Sequence, residues 1–204
     1  EYIPAALYSL ISTNQNDFGF HLGRSGAFDF PAVLSVKADA SCAGLMANLF
    51  WYDVENGVLQ CIQTVTVGGA FERSIPYADF TLSKGQDYFI AFGTESLNGR
   101  VIHTDGSITD SDGNYTRPAK AVIKNVSVSK NSVKMVLNEE CKGALKYDYV
   151  IGTSEDMLKT GQYTKVLKNQ EELKSAFAYM DKGIWYVACH AWLKGEDGKK
   201  VFGQ

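Results

Sequence analysis

Short runs of alternating apolar and polar residues follow one another along the whole chain, and clusters of Gly, Asn and Asp separate them. Apolar side chains at every second position give a strand one buried face, and Gly, Asn and Asp favour the turns between strands. The pattern therefore predicts an all-β fold. The predicted strands are 2–11, 18–22, 32–38, 43–52, 59–67, 70–76, 86–92, 100–104, 107–109, 121–128, 132–137, 145–152, 183–193 and 199–204.

The clearest hairpin lies in the first half of the chain. Asn56-Gly57 separates the predicted strands 43–52 and 59–67, and an Asn-Gly pair favours a type I′ turn. Within the first of these strands, the period of two places Ala47, Leu49 and Trp51 on one face and Asn48, Phe50 and Tyr52 on the other.

A turn-rich stretch between residues 95 and 118 divides the chain and ends at Arg117-Pro118. Its turn signals are Asn98-Gly99, Asp105-Gly106 and Asp112-Gly113. We therefore expect two β-sandwich domains in tandem, over residues 1–116 and 117–204. Since the chain has 204 residues, each domain is large enough to bury its own core.

One short helix is expected in the second domain. Asn169 and Glu172 have the spacing of a capping box. The apolar residues that follow have the spacing of one helix face, and they are Leu173, Ala176, Phe177 and Met180. Residues 154–158 are expected to form a single further helical turn.

The late strand 183–193 has two contrasting faces. Its core-facing set is Trp185, Val187, Cys189 and Ala191, and its opposite set includes Tyr186, His190 and Trp192. A Gly195-Glu196-Asp197-Gly198 turn and a lysine-rich segment follow. This arrangement resembles the end of a bacterial fibronectin type III domain, with Trp185 at the usual Tyr position and Cys189 at a usual Val position. The resemblance covers about residues 119–204 and implies an immunoglobulin-like sandwich.

A second resemblance covers about residues 32–92. Its segments are Leu49-Phe50-Trp51-Tyr52-Asp53, Gly57-Val58-Leu59-Gln60 and Asp87-Tyr88-Phe89-Ile90. Together they resemble a repeat in surface proteins of Gram-positive bacteria. That resemblance implies an extracellular β-sandwich, so we expect a secreted or cell-surface location. We also expect the chain to be a processed or trimmed fragment of a longer protein.

Charge is unevenly distributed. Residues 1–116 hold five basic and thirteen acidic residues, whereas residues 117–204 hold fifteen basic and ten acidic residues. The lysines of the second half are dispersed rather than clustered, and no nucleic-acid motif accompanies them, so we expect no nucleic-acid partner. No apolar run approaches the roughly 18–20 residues that a membrane-spanning helix needs.

The four cysteines are Cys42, Cys61, Cys141 and Cys189. They form no CxxC pair and have no histidine at zinc-ligand spacing, which argues against structural zinc. A disulfide remains open, but buried thiols are favoured since Cys189 lies in the core-facing set. Asp110, Asp112 and Asn114 resemble a calcium loop only in part, and a solvated turn is the preferred interpretation.

No catalytic motif accompanies the three histidines His21, His103 and His190. We therefore expect a non-catalytic protein without a cofactor. Aromatic rings stack on the apolar faces of sugars, so exposed rings favour a polysaccharide ligand, and analogy with surface glycan-capture systems suggests an α-glucan such as starch. The alternative is a spacer or protein-binding adhesin segment. The candidate binding residues are Trp192, Tyr186, His190, Trp51, Tyr52 and Phe50, with a further aromatic region at Phe18, Phe20, His21, Phe28 and Phe30.

Overall fold

The structure is a computed structural model that describes residues 3–68 and 75–204. Within this part of the chain antiparallel strands predominate and two helices are short, which confirms the predicted all-β class. The helices are α1 Ala5–Ile11 and α2 Met157–Thr160, and a 3-10 turn spans Ala40–Cys42. The strands are β1 Phe18–Lys37, β2 Met46–Asp53, β3 Val58–Thr66, β4 Tyr77–Gly93, β5 Val101–Ile102, β6 Ile108–Thr109, β7 Tyr115–Arg117, β8 Ile123–Ser129, β9 Ser132–Leu137, β10 Lys146–Gly152, β11 Lys165–Gln170, β12 Lys174–Phe177, β13 Tyr186–Lys194 and β14 Lys200–Phe202.

The chain forms two compact units. The N-terminal unit comprises Glu1–Thr104 and Asp110–Asp112, and the C-terminal unit comprises Asp105–Thr109 and Gly113–Gln204. No helix in the described residues is both long and apolar enough to span a membrane. The predicted strand 70–76 lies mostly outside the described residues.

An antiparallel sheet with the strand order β1-β4-β2-β3-β5 forms the N-terminal unit. Its two longest strands, β1 and β4, pair from Phe18↔Ile90 to Lys37↔Tyr77. The predicted strands 18–22 and 32–38 are therefore two ends of one strand. Register shifts between His21 and Ala32 separate the two ends, and such irregularities let a long strand bend.

The long β1–β4 ribbon curls around a single core. Phe80 near one end of β4 and Ile90 near the other are both fully buried in the same apolar cluster. The start of β4 also reaches β3, since the Thr81 N–H donates to the side chain of Gln63 at 3.1 Å. Burial of one sheet face on both sides of the bend therefore holds the N-terminal unit together.

Residues 5–11 form helix α1, so the predicted strand at 2–11 is wrong. Ala5 and Ala6 are good helix formers, and Pro4 lies at the position before the helix, where its missing N–H costs no helical hydrogen bond. Leu7 and Ile11 are four residues apart, lie on one helix face and are both buried. A short apolar run fits either a strand or a helix, and the burial of this face decides for the helix.

The β2–β3 hairpin is confirmed, but its turn differs from the predicted type I′. Asp53 pairs with Val58, so four residues form the loop. A type I′ turn needs positive φ at both Asn56 and Gly57. Only Gly57 has it, with φ of 65°, and Asp53 holds Asn56 from within the loop.

Two facing sheets form most of the C-terminal unit, with the strand orders β12-β9-β8 and β11-β10-β13-β14. Their facing sides share one apolar core, to which β9 contributes Met135, β10 contributes Tyr149 and β13 contributes Ala191. Trp185, Val187 and Cys189 pack against this core, as the period of two predicts.

Strands β11 and β12 occupy the segment that was predicted as a helix over Asn169–Met180, so that prediction is wrong. Phe177 of β12 pairs with Val133 of β9, and both side chains are buried. Asn169 has φ of 61°, and its N–H donates to Asp148 rather than opening a helix. Pairing with β9 buries Phe177, whereas Ala176 of the predicted helix face stays exposed, and this tertiary contact outweighs helix propensity.

Candidate functional site

Two adjoining cavities lie at one end of the N-terminal sheet. The first, of about 530 Å³, is lined by Tyr8, Phe20, Phe50, Tyr52, Tyr88 and Phe89, among others. The second, of about 470 Å³, is lined by residues that include Trp51, Asp53, Glu55 and Gln86. His21, Tyr52 and Asp87 line both cavities. We name the two together the Tyr52 cleft.

Strand register explains how these residues meet. β1 and β4 pair Gly19 with Phe89 and His21 with Asp87, while β2 and β4 pair Phe50 with Phe89. Directly paired residues in antiparallel strands point to the same face of the sheet. Phe50 and Phe89 are buried beneath the cleft, and Gly19 has no side chain to cover them. A glycine inside a strand often marks such a close approach.

Helix α1 forms one wall of the cleft through Tyr8. The ring of Tyr8 packs edge-on against Phe89, with centroids 5.2 Å apart and planes at 74°. Leu7 and Ile11 on the same helix are buried and anchor it. Tyr8 itself stays 42% exposed, so part of its ring remains available beside the cavity.

His21 and Asp87 form a polar pair at the junction of the two cavities. Nδ1 of His21 lies 2.6 Å from Oδ1 of Asp87, and the side chains are 57% and 43% exposed. An ionised carboxylate only accepts hydrogen bonds, so Nδ1 must be the donor and carries a proton. The other ring nitrogen, Nε2, is therefore the one left for a ligand.

The β2–β3 loop shapes the second cavity. Asp53 accepts hydrogen bonds from the Asn56 side chain at 2.8 Å and the Gln60 side chain at 3.1 Å. These bonds, chiefly the one from Asn56, hold the pKa of Asp53 below its usual range. Nearby, Nζ of Lys84 lies 4.7 Å from the ring centroid of Trp51 and covers one face of that indole.

Three of the six candidate binding residues therefore meet in the Tyr52 cleft. Tyr52 is half-buried and lies between the two cavities, Trp51 is half-buried beside the second, and Phe50 is buried beneath the first. Phe50 is thus part of the cleft floor rather than an exposed ring. Phe20 and His21, from the third aromatic region of the sequence, join them.

The other three candidates, Tyr186, His190 and Trp192, lie on β13 in the C-terminal unit. Trp192 is only 8% exposed, which differs from the exposed position that a stacking ring needs. His190 stacks on Phe202 with centroids 4.2 Å apart. Burial lowers the pKa of His190. Tyr186 is half-buried. Cross-strand packing therefore covers much of the β13 face that carries Tyr186, His190 and Trp192.

A network around Asp148 explains the burial of Trp192. The Trp192 indole N–H and the Asn169 backbone N–H donate to Asp148, at 3.0 Å and 2.8 Å, and Nζ of Lys200 lies 3.0 Å from Asp148. Nζ of Lys200 is also 4.1 Å from the Trp192 ring centroid. Burial alone would raise the pKa of Asp148, but these hydrogen bonds outweigh it and the pKa is lowered.

The sequence pattern does not predict Tyr8, Phe89 and Asp87 as parts of the cleft. The apolar run around Tyr8 predicts a strand, whereas Tyr8 lies on a helix and packs against Phe89 of the sheet. The available signal was Phe18-Gly19-Phe20, because a glycine between two aromatic residues is unexpected in a strand. Phe28 packs on the core, whereas Phe30 is 82% exposed.

No group of three His, Cys, Asp or Glu side chains in the described residues is arranged to hold a metal ion. Asp110 accepts a hydrogen bond from the Asp112 N–H at 2.9 Å, as in a closed turn. All four cysteines carry free thiols. Burial raises the pKa of Cys61 to about 11 and that of Cys189 to about 12, so neither is a reactive thiolate near neutral pH.

Comparison with known proteins gave no matching family model and no similar curated protein. The geometry of the Tyr52 cleft therefore carries the functional argument.

Proposed function

We propose that this protein is a non-catalytic module that binds polysaccharide in the Tyr52 cleft. The observation that carries the proposal is the position of Tyr52, half-buried between two adjoining cavities. Aromatic residues from α1, β1, β2 and β4 line the larger cavity. Its volume of about 530 Å³ falls within the range of small-ligand sites.

The chemistry of the cleft is suited to a sugar. Ring faces pack against the C–H groups of a pyranose, while polar groups beside them bond to its hydroxyls. Tyr8 and Tyr52 supply partly exposed rings, and His21, Gln86 and Asp87 supply the polar groups. The two cavities join at Tyr52, so a chain of several sugar units is the ligand that would use both.

We propose an α-glucan such as starch as the first glycan to test. We also propose that the protein is secreted or cell-surface and of bacterial origin. Both rest on the resemblances to fibronectin type III domains and to Gram-positive surface repeats. The cleft geometry itself favours a glycan without choosing among neutral glucans.

A second candidate function is a spacer or protein-binding adhesin segment. The observation in its favour is strand β8, an edge strand whose residues are nearly all exposed. Val126 and Val128 on β8 are 43% and 73% exposed. Exposed apolar edge strands are templates for pairing with another chain.

Titration with malto-, cello- and xylo-oligosaccharides tests the glycan proposal, with tryptophan fluorescence and calorimetry as readouts. We expect saturable binding that Tyr52→Ala weakens by about tenfold or more. Gly19→Leu should also block it by filling the first cavity. A Cβ at Gly19 would meet ordinary contacts at 3.4 Å and 3.6 Å, and an unchanged urea midpoint of the variant would show that the fold is preserved.

Tyr163→Ala in the C-terminal unit is the matched control, because Tyr163 is 37% exposed and does not line the cleft. It should leave binding unchanged. If no oligosaccharide binds and the protein is not retained on insoluble polysaccharides, the glycan proposal is wrong. The spacer or adhesin function would then be the better account.

A further inference from the structure

Acidic side chains outnumber basic ones among the described residues that line the Tyr52 cleft. Three carboxylates line it, from Asp53, Glu55 and Asp87. Among the described lining residues His21 is the one side chain that can carry a positive charge, and it is paired with Asp87 at 2.6 Å. Nζ of Lys84, 4.7 Å from the ring centroid of Trp51, adds one positive charge beside the second cavity, so the described charges at the cleft remain mainly negative.

The His21–Asp87 pair sets the direction of hydrogen bonding at the junction of the cavities. Since Nδ1 of His21 donates to Asp87, Nε2 is the ring nitrogen left to contact a ligand. Sugar hydroxyls are donors as well as acceptors, so they can bond both to the carboxylates and to the Gln86 amide of the lining. A ligand carboxylate or sulfate has only acceptors, and it would bring its negative charge close to the three carboxylates of the lining.

We infer that the Tyr52 cleft selects uncharged glycans and excludes acidic ones such as uronates and sulfated polysaccharides. This inference rests on the proposed function and adds the substrate class. The rings determine how strongly the cleft holds a sugar face, and the carboxylates determine which sugars it rejects. Discrimination by repulsion is a common device in selective sites.

Competition between neutral and acidic oligosaccharides tests the inference. The neutral probes are malto-, cello- and xylo-oligosaccharides, and the acidic probes are oligogalacturonate and heparin oligosaccharides of similar length, all titrated by calorimetry at low salt. We expect acidic probes to bind at least about thirtyfold more weakly than the best neutral one. Raising the salt concentration should leave neutral binding within about twofold.

The double variant Glu55→Gln, Asp87→Asn should reduce the ratio of neutral to acidic affinity by about tenfold or more. Glu196→Gln is the matched control, because Glu196 is an exposed acid of the C-terminal unit, and it should leave the ratio unchanged.

Acidic probes that bind the unmodified protein as well as neutral ones would overturn the inference while leaving the glycan function intact. A double variant with an unchanged affinity ratio would overturn it too. Absence of binding by every probe would remove the proposed function, and the inference with it.

Discussion

The indole Nε1 of Trp192 donates a hydrogen bond of 3.0 Å to Oδ1 of Asp148. This bond joins β13 to β10, and Lys200 of β14 pairs with the same carboxylate at 3.0 Å. One buried acid thus connects three neighbouring strands of the C-terminal sheet. The ring of Trp192 contributes to this connection and to packing rather than to an exposed face.

Asp148→Ala should destabilise the C-terminal unit. It leaves the donors of Trp192, Asn169 and Lys200 without their shared acceptor, and lost buried hydrogen bonds of this kind cost about 2 kcal/mol or more. Urea unfolding followed by tryptophan fluorescence measures the change. Asp197→Ala, an exposed acid in the β13–β14 turn, is the control. Equal effects from both substitutions would contradict a special role for Asp148.

Lowering the pH should destabilise the protein in a way that depends on His190. Burial lowers the pKa of His190 from 6.5 in the native state, so below that pH the unfolded chain binds more protons than the native chain. Its contribution to the free energy of unfolding is therefore present above about pH 6.5 and declines as the pH falls below it. Urea unfolding at several pH values from 7.5 to 5 measures the decline.

His190→Gln should reduce that decline, because the variant has no imidazole to protonate at this position. His103→Gln is the control for the general effect of removing a histidine. If His190→Gln unfolds with the same pH dependence as the unmodified protein, the titration of His190 does not contribute.

Helix α1 should contribute substantially to the stability of the N-terminal unit. Leu7 is fully buried, and truncation of a buried leucine costs about 3 kcal/mol. Leu7→Ala should therefore lower the urea midpoint strongly, whereas Ser9→Ala on the same helix should have little effect because Ser9 is exposed. A small effect of Leu7→Ala would show that α1 does not pack on the sheet in solution.

Native cysteines should react slowly with a thiol reagent. Raised pKa values of about 11 for Cys61 and about 12 for Cys189 leave almost no thiolate at pH 8. Cys42 and Cys141 are buried as well. A chromogenic disulfide reagent should detect all four thiols only after denaturation. Fewer than four thiols under denaturing, non-reducing conditions would show that a disulfide forms.

The strands were predictable where alternation meets a clear turn, as at β3, β9 and β10. Residues 5–11 and 169–180 were not predictable, because the same apolar spacing fits both a helix and a strand. Leu7 and Ile11 are buried on a helix, whereas Phe177 reaches the core from a strand. The choice depends on which backbone partner lies nearby, and sequence spacing does not contain that information.

The cleft was predictable only in pieces. The sequence predicts two separate groups of candidate residues, Phe50, Trp51 and Tyr52 on one strand and Phe20 and His21 on another. It does not predict the strand register that brings the two groups together. β4 provides that register, because it pairs with both β1 and β2 and so places Asp87 and Phe89 between them. Trp192 was expected to be exposed because its acceptor, Asp148, lies 44 residues away.

The buried run from Ala47 to Phe50 has an evolutionary consequence. Leu49 belongs to the core, while the next residue, Phe50, lies beneath the Tyr52 cleft. Because Leu49 and Phe50 point to opposite faces of β2, one strand carries both the core and the cleft floor, and selection should tolerate few changes that shift it. Substitutions that adapt the cleft to a new ligand would therefore be expected at its rim, at positions such as His21, Tyr52 and Glu55.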